Sequence, residues 1–325
     1  MKRLTGLALA LLLVVLPLSG CGESRTPSVK EGEVEGNKLS VYTSFYTMYD
    51  FTSKIAGDKA AVTNLVPTGT EPHDWEPSAA DITGLETADI FIYNGAGMEH
   101  WVQDVLNSLQ NKDLVSVETS HGITLLEGHG HDHEGEEDED HADEDEDHED
   151  EEDLDPHVWL SPLNAKKQME AIKDAFVLAD PENKAYYEAN YTKYAAEFDT
   201  LDKEFKDTLS PLPNKDIIVA HQAFGYLCSA YGLNQVPVEG LSPDSEPAPA
   251  RVAEIIQFAK EHEIKVIFFE ELVSSKVADT IADAIGAKTG VLSPLEGLSD
   301  QQLQNGADYF SVMRENLSAL KEALQ

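Results

Sequence analysis

Gly128-His129-Gly130-His131-Asp132-His133 opens an acidic tract that Asp155-Pro156-His157-Val158-Trp159-Leu160 closes. His141 and His148 lie between them. From Glu127 to Asp155 the chain carries 19 acidic residues and no Lys or Arg, half of its formal net charge of -38. Such a segment buries too little apolar surface to offset the entropy of its own ordering, so residues 127–155 are expected to form a disordered loop. The loop alternates imidazoles with carboxylates, a composition that attracts divalent cations. It ends at a histidine fixed between Pro156 and Trp159. The tract also divides the chain. Strands and helices alternate before it, and a helix with a Ser161-Pro162 start follows it.

Working back towards the N-terminus, Leu39 to Phe45, Ala61 to Val66, Asp89 to Tyr93 and Leu114 to Glu118 read as strands. Helices are expected over Tyr46 to Ile55, over Ala79 to Glu86 behind an Ser78 cap, and over His100 to Leu109. Working forward, helices are expected from Pro162 to about Leu178 and from Pro181 to Leu209. The second repeats apolar residues at spacings of three and four from Tyr187 to Phe205, and would span roughly 40 Å. Beyond it the alternation resumes. Strands over Asp216 to Ala220, Gln235 to Val238, Lys265 to Phe269 and Thr289 to Leu292 are separated by helices over Gln222 to Tyr231, Arg251 to Glu261 and Lys276 to Ile285. A last helix runs from Tyr309 to Leu324. The fold class is α/β, with two βαβ lobes on parallel-type sheets, joined by a long rigid backbone helix. The lobes are 38–180 and 211–325, and the linking helix is 181–210.

The start of the chain reads as a secretion signal over residues 1–20, with a basic Lys2-Arg3 and an apolar run from Leu7 to Leu16. Leu18-Ser19-Gly20-Cys21 resembles a bacterial lipobox, which implies lipidation of Cys21 and a flexible tether over 21–37. The other cysteine, Cys228, lies among apolar residues and reads as a core thiol. Strong negative charge argues against nucleic acid as a partner.

His73, His157, His221 and Glu296 each lie just past a strand end or in a stiff Pro/Gly loop, where open α/β sheets bind ligands. Three imidazoles and a carboxylate suit Zn²⁺ at about 2.0–2.2 Å per bond, whereas Mn²⁺ prefers more oxygen. Glu270 and Glu271 also end a strand and compete with Glu296 for the carboxylate role. Four protein ligands leave no open position for an activated water, which points to holding the ion rather than to hydrolysis. No His-Glu-x-x-His helix or Gly-x-Ser-x-Gly elbow is present. His100, His121 and His262 read as surface residues.

Taken in order, the lipobox, Glu71-Pro72-His73-Asp74-Trp75-Glu76-Pro77-Ser78, the His-rich acidic loop, Asp155-Pro156-His157-Val158-Trp159-Leu160-Ser161-Pro162, Ala220-His221-Gln222-Ala223-Phe224-Gly225-Tyr226 and Leu292-Ser293-Pro294-Leu295-Glu296 resemble the zinc-type solute-binding lipoproteins of bacterial metal ABC importers, solute-binding protein family 9. The resemblance spans about residues 38 to 325. It implies a non-enzymatic, lipid-anchored, monomeric receptor on the extracytoplasmic face of the membrane, handing Zn²⁺ to a permease and ATPase. It implies His73, His157, His221 and Glu296 as metal ligands in the interlobe cleft, with Glu270 and Trp159 supporting them. His129, His131, His133, His141 and His148 would collect zinc for the site. A manganese-binding receptor of the same type and an adhesin-like surface protein are the alternatives.

Overall fold

The computed structural model describes residues 38–128, 154–243 and 247–325. The leader, Cys21, the tether and the five loop imidazoles lie outside the described residues.

Two four-stranded parallel sheets carry the chain, in the orders β2-β1-β3-β4 and β6-β5-β7-β8. The first uses β1 (Leu39–Thr43), β2 (Ala60–Asn64), β3 (Ile90–Tyr93) and β4 (Val115–Glu118). The second uses β5 (Asp216–Val219), β6 (Asn234–Pro237), β7 (Val266–Phe269) and β8 (Lys288–Val291). Each sheet starts in its middle, steps to one edge, then returns to build the other side. The direction of winding therefore reverses between β1 and β3 and between β5 and β7, the points where such sheets leave a crevice beyond their carboxyl ends. Of the central strands, β3 and β7 are continuous apolar runs, Ile90 to Tyr93 being buried throughout, as expected when helices cover both faces.

The helices between the strands start and stop where their end residues dictate. Ser78 and Asp81 form a reciprocal capping box before α2 (Ala79–Leu85), and Pro162 opens α4 (Pro162–Ala179). Gly286, at φ +73°, ends α8 (Lys276–Ile285). The first lobe adds α1 (Tyr46–Ala56) and α3 (Val102–Ser108), and the second adds α6 (Gly225–Tyr231) and α7 (Pro249–Glu261). Two elements were not expected: a 3-10 turn over Val158–Leu160 and α9 (Asp300–Gln304). The Ser299-x-x-Gln302 box that caps α9 was legible in the sequence.

The expected long helix is α5 (Lys184–Leu209), whose 26 residues span about 39 Å. A 3-10 turn over Pro181–Asn183 leads into it. Its buried face reaches both halves of the chain. Phe198 meets Phe51 of α1 at 5.7 Å and Phe310 of the terminal helix α10 (Tyr309–Leu324) at 4.8 Å, and Phe205 stacks on Tyr231 of α6 at 5.0 Å. One large core thus runs through α1, α4, α5 and α10, while two smaller cores lie under α2 and α3 and under α7 and α8. Lys54 of α1 bonds Asp50 at 2.5 Å and Asp308, the cap of α10, at 3.1 Å. This buried ion group fastens the first helix to the last. Cys228 is buried, and burial pushes its thiol up.

Candidate metal centre

Four loops carry the candidate ligands to one point. His73 lies in the proline-rich segment between β2 and α2, where Glu71 accepts a bond from the His73 N–H at 3.0 Å. His157 precedes the Val158–Leu160 turn. His221 follows β5, and Glu296 follows β8. The four donor atoms all lie within 4.8 Å of one another. His157 Nε2 is 3.3 Å from His73 Nε2 and 3.3 Å from His221 Nε2. Glu296 Oε1 faces all three, at 3.3 Å from His73, 3.0 Å from His157 and 3.4 Å from His221. The edge of a regular tetrahedron whose centre-to-corner bonds are about 2.0–2.1 Å is about 3.3–3.4 Å, so these five spacings suit ligands around one zinc-sized ion, while the sixth, between His73 and His221, lies within 4.8 Å.

Two imidazoles are braced from behind. Asp155 Oδ1 accepts the His157 N–H at 3.0 Å and lies 2.8 Å from Nδ1. Glu270 Oε1 lies 2.5 Å from His221 Nδ1. With each Nδ1–H donated to a carboxylate, Nε2 keeps its lone pair for the cation. The second brace follows from register. Ile218 of β5 pairs with Ile267 of β7, and three residues further along each strand stand His221 and Glu270. Asp155, which the sequence reading did not single out, stands against His157. Its spacing of two from His157, across a stiffening proline, was the available signal.

Charge sets the protonation of the group. Burial lowers His73, and Glu296 only partly restores it. Burial would also lower His157 and His221, but the carboxylates beside them outweigh it. His157 is raised by Asp155 and Glu296, and His221 stands well above the ordinary histidine value because of Glu270 and Glu296. Burial would raise Glu296, but His221 and His73, with the His157 bond, hold it well below the usual carboxylate range. A buried carboxylate surrounded by imidazoles is a site prepared to exchange protons for a divalent cation.

Other side chains pack around these four. Trp159 is fully buried, packs its ring 5.3 Å from that of His157, and donates its indole N–H to Pro294 O at 2.7 Å. Glu71, Glu270, Glu271 and Gly297 line a narrow cleft that borders Glu296. The other described histidines stand apart. His100 and His262 are largely exposed beside Glu76 and Asp216, and His121 is exposed. The tract that carries the remaining imidazoles has its base beside the site. Glu127 and Leu154 pair across it, and the Tyr226 hydroxyl accepts the Leu126 N–H at 2.9 Å and donates to Asp155 O at 2.8 Å.

The model of the family described as "Zinc-uptake complex component A periplasmic", ZnuA, matches residues 41–323. The chain belongs to the ZnuA family. It is 47% identical over 309 residues to the high-affinity zinc uptake system protein ZnuA of Bacillus subtilis, covering 95% of this chain and 94% of that protein. It is 42% identical over 285 residues to the zinc-binding lipoprotein AdcA of Streptococcus pneumoniae. That match takes in 88% of this chain but 56% of AdcA, so the chain spans little more than half the length of that relative. Among solved structures, the Zn(II)-bound ZnuA-like domain of S. pneumoniae AdcA superposes with a TM-score of 0.75 at 38% identity, covering 89% of this chain and 99% of that domain. A laminin-binding protein of Streptococcus agalactiae, described as bifunctional with adhesin and metal transporting activity, matches with a TM-score of 0.73 at 30% identity, covering 88% of this chain and 100% of that chain. The ZnuA family fold accords with the two parallel-sheet lobes and long central helix described above.

Proposed function

We propose that this chain is an extracytoplasmic zinc receptor. It takes one Zn²⁺ onto His73, His157, His221 and Glu296 and delivers it to the permease and ATPase of an ABC importer. The observation that carries this reading is the convergence of His73, His157, His221 and Glu296 in a buried pocket, with all four donor atoms within 4.8 Å and five of their six spacings at 3.0–3.4 Å. Family membership supports the direction of use, and the absence of a spare ligand position supports binding over hydrolysis. His221, as a third imidazole in place of an oxygen ligand, favours zinc over manganese. Residues 38–180 and 211–325 act as two lobes about the 181–210 helix. Lipid on Cys21 holds the receptor, as a monomer, at the outer face of the membrane. His129, His131, His133, His141 and His148 gather zinc for the tight site.

The test is metal analysis with competition titration on three forms of the chain. Wild type is expected to bind one zinc tightly and more zinc weakly. Deleting Gly128 to Asp153 should remove only the weak component, and His157→Ala only the tight one. Loss of tight binding on deletion would overturn the division between site and loop. Adhesion is a second reading, favoured by the laminin-binding relative. It predicts that His157→Ala still binds immobilised laminin.

A further inference from the structure

Glu296 is carried by a strained residue. Leu295 is fully buried, and its φ is +60°, a left-handed conformation that side chains other than glycine rarely adopt. Strain of this kind persists only where the surroundings enforce it, and it gathers at functional sites. Here the surroundings are specific. The Thr47 hydroxyl donates to Leu295 O at 2.5 Å, across 248 residues of sequence. Asn316 grips the peptide of Ser293 on both sides, at 2.9 Å and 2.7 Å, and Leu295 N–H donates to Ser293 Oγ at 3.3 Å. Thr47 is fully buried in α1, in the lobe opposite β8, so this turn of the second lobe is held by a bond from the first. The consequence reaches the ligand set, because the single oxygen Oε1 of Glu296 faces all three Nε2 atoms.

We propose that Thr47 is a specificity-determining positioning residue. Its hydroxyl locks the Leu295 turn, so that Glu296 offers one oxygen and the site stays four-coordinate. This rests on the zinc-receptor reading above. Zn²⁺ is satisfied by four ligands in a tetrahedron. Mn²⁺ favours more oxygen ligands and a larger shell, so it gains most from a carboxylate free to turn and present both oxygens. A fixed Glu296 withholds that second oxygen, and a loosened one supplies it.

The test compares the full chain with Thr47→Val, which exchanges the hydroxyl for a methyl of similar shape, and Thr47→Ser, which keeps the hydroxyl. Zn²⁺ and Mn²⁺ are titrated separately against a chromophoric chelator, and the visible spectrum of the Co²⁺-loaded protein reports coordination number. Thr47→Val is expected to lower the zinc-to-manganese affinity ratio about tenfold, the scale of one buried hydrogen bond, and to weaken the intense bands of tetrahedral Co²⁺. Thr47→Ser should restore both. Leu295→Gly, which removes a fully buried side chain and frees the backbone to leave φ +60°, loosens the same turn independently and should lower the ratio as well. The proposal is overturned if both Thr47→Val and Leu295→Gly keep the wild-type ratio and Co²⁺ spectrum. It is equally overturned if they weaken zinc and manganese by the same factor. Wild type that binds no zinc tightly would instead overturn the receptor reading on which it rests.

Discussion

Replacing Glu270 with Gln should weaken zinc binding, and by an amount that depends on pH. Glu270 Oε1 lies 2.5 Å from His221 Nδ1, and both side chains are buried, at 4% and 0% exposure. The amide oxygen of Gln can still accept the Nδ1–H, so the ring keeps its orientation but loses the charge that makes Nε2 a strong donor. Loss of such a supporting partner costs about 10–100-fold in metal affinity, or about 1.4–2.7 kcal/mol. A second effect opposes the first. In the wild type, burial lowers His221 but Glu270 and Glu296 outweigh it, so the imidazole stays protonated well above the ordinary histidine range. Zinc must expel that proton, and wild-type affinity therefore falls as pH falls below the raised pKa. Glu270→Gln removes the main group that raises it, so the variant meets less proton competition. Competition titrations from about pH 8 to about pH 6, across the usual histidine range, should show the variant's deficit largest at the alkaline end and shrinking towards the acid end. A deficit constant across the range, or no deficit at the alkaline end, would refute the brace.

Two further outcomes follow from the same geometry. A Cβ on Gly225 would fall 2.4 Å from Asp155 Oδ2, so Gly225→Ala must displace the carboxylate that braces His157. Zinc affinity should fall about tenfold, and the unfolding midpoint of the metal-free protein should fall as well, since the shift loosens the buried Asp155 carboxylate from the His157 N–H and Nδ1. Glu99, half-buried, is raised to about 7, first by burial of its carboxyl and then by Glu118, against bonds from the Asn94 and Gly95 N–H groups. A carboxyl raised in the folded state keeps its proton longer there than in the unfolded chain. Stability is therefore unaffected below the ordinary value of 4.5 and declines as pH rises towards 7, by at most about 3 kcal/mol. Thermal unfolding of metal-free protein across that window should show the decline in wild type and a flatter profile in Glu99→Gln.

Much of the fold was legible because its signals are local. Strands such as Ile90–Tyr93 and Val266–Phe269 are short apolar runs bounded by turn residues, and α5 shows its buried face at spacings of three and four. Element ends shifted by a few residues where a turn took over. The helix expected from Gln222 begins instead at Gly225, because the Gln222 N–H bonds Gly240 O and the Ala223 N–H bonds His221 O. The candidate ligands were legible for a similar reason, since His221 and Glu296 follow strands β5 and β8 while His73 and His157 lie in proline-containing loops.

The sequence by itself determined where most strands and helices form, and it marked His73, His157 and His221 with three candidate carboxylates in the loops beyond them, because both depend on neighbours within a few residues. Only the tertiary structure decided which carboxylate stands behind which imidazole. Glu270 reaches His221 through the register of two parallel strands, and Thr47 reaches Leu295 across 248 residues. Those contacts are fixed by the packing of α1, α4, α5 and α10 between two sheets, and no local periodicity encodes a distance between segments so far apart in the chain.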